Sequence, residues 1–352
     1  MSEQWSGGII TPTPATPTGP NLNGSAPGVW TLNQAAFWIK QGLWPTAGFI
    51  SGDIGLFGGG STASVRLNTI SFIIITSTGN DTLFGDLTAA RQGLGACAST
   101  TRGIFAGGAT GTTMASGVNT IEYVTIANTG NATSFGSLAI TPSGTTAANS
   151  TTRGLIAGGY SGGGYVNTIS YVTIASVGNS TNFGNLTLNR NNLSAGASST
   201  RAVFIGGDTG PGFTNVMDYV TTASTGNATS FGALGQKLSG TASCANSTRA
   251  VISGGYNDPA FAVVTNQYYI TIASAGASTS FGNMATETFF QGACSNATRG
   301  VFAGGAGADY STRTNAIIYV TIATTGNPTS FGSLTTARSS LAGCSNINGG
   351  VQ

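Results

Sequence analysis

The 352-residue sequence predicts a six-bladed β-propeller of four-stranded antiparallel blades, all-β apart from an N-terminal segment with one short helix. Three observations predict it. Three sequence markers recur six times in unchanged order at a period of about fifty residues, the signature of a repeat architecture. Inside each period the apolar residues follow strand periodicity, with no helical pattern between strands. The first copy lacks one strand and the last copy carries a surplus one, so the two ends complement each other.

The N-terminal segment stands apart in composition. All four tryptophans (Trp5, Trp30, Trp38, Trp44) and six of the ten prolines fall before residue 50. Residues 11–20, TPTPATPTGP, read as a stiff extended linker. In residues 26–45, Thr31 and Gln34 form a capping box, while Gly42 and Pro45 stop the chain, which predicts a helix over about 31–42. It would gather Ala35, Trp38 and Ile39 on one side, with Phe37 at the margin. So short and aromatic a helix is not stable alone in water. Trp30, Leu32, Phe37, Trp38, Ile39 and Trp44 are therefore the expected docking residues, on the chain's own propeller or on a partner. The expected boundary separates a docking segment, 1–50, from a propeller, 51–352.

The propeller markers come next. Gly-Gly pairs start at Gly58, Gly107, Gly158, Gly206, Gly254 and Gly304. An aromatic followed by a β-branched run stands at Phe72, Tyr123, Tyr171, Tyr219, Tyr269 and Tyr319, and Phe-Gly at Phe84, Phe135, Phe183, Phe231, Phe281 and Phe331. In one unit, NTIEYVTIA (119–127) alternates as a pleated strand, a Thr-Gly-Asn turn follows, and TSFGSL (133–138) is a second strand. A small-residue strand such as GLGACAS (93–99) and an apolar strand ending in double glycine, RGIFAGG (102–108), make four. A blade of this kind cannot bury both faces alone, so the six pack on one another. The surplus strand SSLAGCSN (339–346) is expected to complete the first blade, which removes a fraying edge.

The turns divide into two faces. Counting strands outward from the axis, one face carries near-identical turns: ASTTR, NSTTR, SSTR, NSTR, NATR and TGN-x-T. The other carries loops after each double glycine that differ in length and chemistry. Binding residues usually sit on such loops, and tyrosine with a few charges is a recognition palette. The candidate ligand- or receptor-binding residues are Tyr160, Tyr165, Asp208, Phe213, Tyr256, Asp258, Phe261, Tyr310 and Arg313, with Asp309 and Arg66 nearby. The opposing reading is that these loops merely drift, their aromatics covering blade edges.

Composition closes off other functions. Only 6% of residues are charged and there is no histidine, which excludes Ser-His-Asp and Cys-His nucleophile systems. Glu3, Glu122 and Glu287 have no acidic neighbour in sequence, so no glycosidase pair is evident. No enzyme activity, catalytic residue, metal or cofactor is expected. Cys97, Cys244, Cys294 and Cys344 fall at equivalent inner-strand positions of four consecutive blades; a metal circle is conceivable, but small buried apolar side chains are expected, with alanine in the other two copies. The cations do not cluster as nucleic-acid binding requires, and no apolar run spans a bilayer. The start, MSEQWSGGIITPTP, lacks a signal peptide's basic and apolar regions.

The unit resembles the kelch motif: an apolar strand ending in Gly107-Gly108, a strand with central Tyr123, the later aromatic Phe135, and in the best copies Arg91, Arg190 and Arg338. The resemblance covers residues 51 to about 347. Phe-Gly stands where kelch usually has tryptophan, and the late arginine is missing from three copies. Residues Gly28, Val29, Trp30, Leu32, Trp44 and Pro45, together with YVTIASTGNATSFG-like repeats, resemble structural proteins of tailed bacteriophages, particularly those of marine cyanobacteria. That resemblance implies a virion component, such as a tail fibre, spike or capsid attachment. Its docking segment would engage other virion proteins, its propeller would face host glycan or receptor, and the protein would reside in the virion, assembled in the host cytoplasm, with more than one copy compatible with that assembly. The alternative is a free, lectin-like carbohydrate-binding module.

Overall fold

The computed structural model describes residues 52–347 without interruption, with Asn33, Gln34, Phe37, Trp38, Gln41 and Ile50. The chain divides into two units, 1–50 with 127–130, and 51–126 with 131–352. In the first, Asn33, Gln34, Phe37 and Trp38 are helical, and the Gln41 N–H donates to the Phe37 carbonyl at 3.2 Å. The Phe37 and Trp38 rings meet edge to face, 5.0 Å apart. The rest of the helix predicted over 31–42 lies outside the described residues, as do Trp30, Leu32, Ile39 and Trp44.

The second unit is a six-bladed propeller of four-stranded antiparallel sheets. Blade 1 runs outward as Ala342–Ser345, Ile54–Gly58, Thr69–Ile74 and Thr82–Asp86. Its inner strand is the C-terminal one, registered Leu56 to Cys344 and Gly58 to Ala342. Blade 2 is Gly95–Ala98, Arg102–Ala106, Thr120–Thr125 and Thr133–Ser137. Blades 3 to 6 repeat the order from inner strands Thr146–Asn149, Ser194–Ala197, Ala242–Ala245 and Gly292–Ser295. Each inner strand neighbours the next, and Gly292–Ser295 neighbours Ala342–Ser345, so the circle is closed. The expected strand order and C-terminal clasp are both present.

The order follows burial. Second strands are almost wholly buried, as in Ile54–Gly58, whereas outer strands such as Thr133–Ser137 begin exposed. Apolar residues of adjacent blades merge between the sheets: Phe57, Ile73 and Ile75 of blade 1 pack with Val301, Ile317 and Phe331 of blade 6. Inner strands need small residues because they crowd the axis. The Cys97 sulfur sits where a Cβ on Gly154 of the next blade would lie, 2.5 Å away, and Cys244, Cys294 and Cys344 likewise face Gly300, Gly55 and Gly103. Where the inner residue is smaller, the facing residue grows: Ala148 packs in one cluster with Ala202, and Gly196 faces Ala250. Glycine in the fourth blade thus corrects the expected alanine, since a Cβ on Gly196 would meet that of Ala250 at 2.5 Å. All four thiols are free and buried, and burial pushes Cys97 up to about 12.

A second correction concerns the first double glycine. Gly59 and Gly60, at φ 65° and 100°, match Gly107 and Gly108 at 66° and 90°. Gly58 belongs to the strand, opposite Ile70, where a side chain would strike the Phe105 ring.

The near-identical turns have a structural task. The Gly178 N–H donates to the Phe135 carbonyl of the preceding blade at 2.8 Å, and Asn179 Oδ1 accepts the Ser137 N–H at 3.0 Å. Gly226, Gly276, Gly326 and Gly79 repeat the first bond, the last crossing from blade 1 to Phe331 of blade 6. The Phe-Gly glycine is required because the neighbour's turn lies against it: a Cβ on Gly136 would sit 2.2 Å from Gly178 O. These turns cover outer edges that would otherwise be unpaired.

Arginines lock the frame at two depths. Arg102, Arg153, Arg201, Arg249 and Arg299 lie over the rings of Tyr123, Tyr171, Tyr219, Tyr269 and Tyr319, 4.1 to 4.7 Å from the centroids. Each donates to backbone carbonyls of the next blade, as Arg102 does to Ala175 O at 2.7 Å. Blade 1 has Phe72 for the tyrosine and Ile54 for the arginine, so cation and tyrosine leave together. Deeper, Arg91, Arg190 and Arg338 bind the double-glycine carbonyls Gly107 O, Gly206 O and Gly59 O at 2.8, 2.8 and 3.0 Å. Arg91 also pairs with Glu122, Arg190 with Asp218, and Arg338 with Ser71 Oγ. Pro142, Leu238 and Thr288 replace the arginine elsewhere, and Ser170, Tyr268 and Ile318 then replace the acid. Acidic residues occur at this position only where an arginine meets them.

Candidate recognition face

The face opposite the near-identical turns repeats one backbone design six times. After each double glycine the chain makes a short bridge: Ser61 to Arg66, Ala109 to Gly117, Tyr160 to Tyr165, Asp208 to Phe213, Tyr256 to Val263 and Ala306 to Arg313. Nearer the axis lies a ring of six backbone hydrogen bonds. Gly144 N–H donates to Gly93 O, Asn192 to Gly144, Gly240 to Asn192, Phe290 to Gly240, Ser340 to Phe290, and Gly93 to Ser340, all at 2.8 or 2.9 Å. Geometry alone requires left-handed backbone at each station, with φ from 50° to 68°. The six residues surround a cavity of about 120 Å³ at the mouth of the central channel.

The frame is constant while its side chains are not, so side-chain chemistry can vary without disturbing the fold. On blades 4 to 6 the side chains converge. Phe213 meets Tyr256 at 4.8 Å and Phe261 at 5.2 Å between ring centroids. Tyr256 meets Phe289 at 5.1 Å and Phe290 at 6.0 Å, and Phe289 meets Tyr310 at 5.2 Å. The Tyr310 hydroxyl donates to Phe261 O at 2.7 Å. Phe261 is 57% and Tyr310 48% exposed, so the cluster has a buried floor and an open rim. Of the five non-glycine residues with positive φ among the described residues, Asn192, Phe290 and Ser340 are stations of the channel ring, and the other two, Phe261 and Tyr310, belong to this cluster. Aromatic residues in that conformation cost on the order of 1–3 kcal/mol each, and such strain concentrates at working sites.

The structure thus brings Phe213, Tyr256, Phe261 and Tyr310 together. Tyr160 and Tyr165 form a separate edge-to-face pair at 5.9 Å, and the Tyr165 hydroxyl donates to Asp208 Oδ2 at 2.9 Å. Burial, with the Asp208 bond second, raises Tyr165 to about 12. Asp258 lies 3.7 Å from the exposed Lys237 ammonium, a pair that adds little to stability. Asp309 accepts from Ser311 and Thr312 within its own turn, and these bonds, the Thr312 hydroxyl first, hold it down to about 2. Arg313 lies beside the cluster in a cleft with Arg66. Phe289 and Phe290 were absent from the predicted set because they precede an inner strand instead of following a double glycine. Comparing repeat columns would have found them, since they replace Gln92 and Gly93.

Among the described residues no group of three or more histidine, cysteine, aspartate or glutamate side chains could hold a metal ion. No helix there is long and apolar enough to cross a membrane. Compared with known proteins, the chain matches no family model and no curated protein.

Proposed function

We propose that the protein is a non-enzymatic, kelch-like binding propeller whose loop face recognises a surface saccharide. On this reading it is a tailed-phage virion component, a tail fibre, spike or capsid-attached propeller, docked on other virion proteins through residues 1–50. One observation carries the recognition half: two half-exposed aromatic residues with left-handed backbone, Phe261 and Tyr310, gathered over Phe213, Tyr256, Phe289 and Phe290 on an otherwise regular frame. Exposed rings on rigid backbone bind the apolar face of a sugar at low entropic cost. The virion half is supported by the resemblance of the GVW-x-L and WP elements, and of the repeats, to phage structural proteins. The acidic candidates Glu122 and Asp218 are tied to buried arginines, which supports a binding role over acid–base chemistry.

A glycan array probed with the full chain and with a Phe261→Ala, Tyr310→Ala variant tests the recognition half. Two ring contacts worth about 0.5–1.5 kcal/mol each correspond to a loss of roughly tenfold or more in binding. The melting temperature should be nearly unchanged, because both rings are half exposed. Equal binding by the two proteins would remove the aromatic cluster as the site.

A further inference from the structure

Beside the aromatic cluster, across the seam where blade 6 meets blade 1, lies a cleft of about 280 Å³. Its walls include Arg66, Arg313, Phe289, Phe290, Tyr310 and Ser339, and no acidic residue lines it. Arg66 and Arg313 occupy the same station of the repeated bridge in adjacent blades, partnered with Ser61 and Ala306. Two cations therefore flank one opening.

Both are held by backbone and not by charge. Arg66 Nε donates to Gly111 O at 3.1 Å, and Arg313 Nη1 to Tyr310 O at 2.9 Å. The ion pairs among the described residues are Arg91–Glu122, Arg190–Asp218 and Lys237–Asp258, so neither arginine of the cleft has a carboxylate partner. Asp309 is near Arg313, but its oxygens accept from Ser311 and Thr312. Arg313 Nε is a buried donor with no acceptor. Burial lowers Arg313, Asp309 pulls it back up, and the nearby Arg66 charge lowers it to a smaller extent. Two guanidiniums at one opening with no carboxylate in ion-pair contact favour an anion between them, and guanidinium geometry suits planar or tetrahedral oxyanions.

We infer that this cleft receives the acidic group of an anionic saccharide, a pyranose bearing a carboxylate or a sulfate ester. Its ring would lie against Tyr310, Phe289 and Phe290. The inference rests on the reading of the loop face as a saccharide-binding surface and adds the class of sugar.

Titration of the full chain with oligogalacturonate, a sulfated galactan oligosaccharide and neutral maltohexaose tests it. At least one anionic chain should bind, about tenfold or more tighter than maltohexaose, and more weakly as salt is raised. Arg66→Gln and Arg313→Gln should each weaken that binding by about tenfold, while Arg66→Lys should retain part of it and the melting temperature should hold. Which anionic chain binds distinguishes carboxylate from sulfate. Failure of both anionic chains to bind, or binding indifferent to both Gln variants, would overturn the inference. Maltohexaose binding that depends on Phe261 and Tyr310 but not on the arginines would overturn it while leaving the saccharide reading intact.

Discussion

Truncation after Ala337 is expected to abolish the single cooperative melt of the propeller. The cut removes Arg338, whose guanidinium donates to Gly59 O, Thr69 O, Phe57 O and Ser71 Oγ. It removes the inner strand of blade 1, with buried Leu341, Ala342 and Cys344, and Ser340 from the channel ring. Burial of Leu341 contributes about 1.5–3 kcal/mol, the smaller Ala342 and Cys344 about 1 kcal/mol each, and leaving backbone groups unpaired adds to the loss. The sum rivals the whole stability of an ordinary domain, about 5–15 kcal/mol. Circular dichroism on heating should show a broad transition, at least about 10 °C lower. A truncated chain melting as sharply and at the same temperature as the full one would mean that closure stabilises nothing.

Arg91→Ala is expected to cost about 3–5 kcal/mol, the usual penalty for stranding one member of a buried ion pair. Glu122 has no exposed surface, and its Oε1 would lose the guanidinium that faces it. The Gly107 carbonyl would lose its guanidinium donor as well, and the Thr120 carbonyl would keep only the Gly107 N–H. The chain contains its own remedy. At the corresponding seam of blades 4 and 5, Leu238 and Tyr268 pack in one apolar cluster. Because the Tyr268 ring lies over Gly235, where the Arg91 seam has Thr88, the triple variant Thr88→Gly, Arg91→Leu, Glu122→Tyr should recover a large part of the loss in urea unfolding. A mild cost for Arg91→Ala, or no recovery in the triple variant, would show that the pair does not act as a unit.

These effects explain why the fold was legible in the sequence. Tyr123, Phe135 and Gly107 mark strands because each answers a packing demand that recurs in every blade. The clasp was legible because SSLAGCSN duplicates an inner strand that the first copy lacks. What stayed hidden depends on neighbouring blades. Gly58 and Gly59 look interchangeable in a run of three glycines, and only the register against Ile70 and the Phe105 ring separates them. Gly196 could not be told from alanine without Ala250 across the seam. The channel ring uses backbone atoms alone, so glycine, asparagine, phenylalanine and serine all serve at one station. Of the candidate site, the loops and four aromatics of the cluster were readable. That Phe289 and Phe290 complete it, and that Tyr165 turns away toward Asp208, follows from how the loops fold over the channel mouth.

A frame built from backbone, glycine and buried arginine is distinct from the side chains it displays. Loop chemistry can then change between blades without loss of the circle. Amide hydrogen exchange at Gly93, Gly144, Asn192, Gly240, Phe290 and Ser340 tests that circle most directly. If the ring is closed, all six amides exchange together and only through global unfolding. Rapid exchange at Ser340 and Gly93 while the other four stay protected would show the circle open between its first and last blades, and would contradict the account.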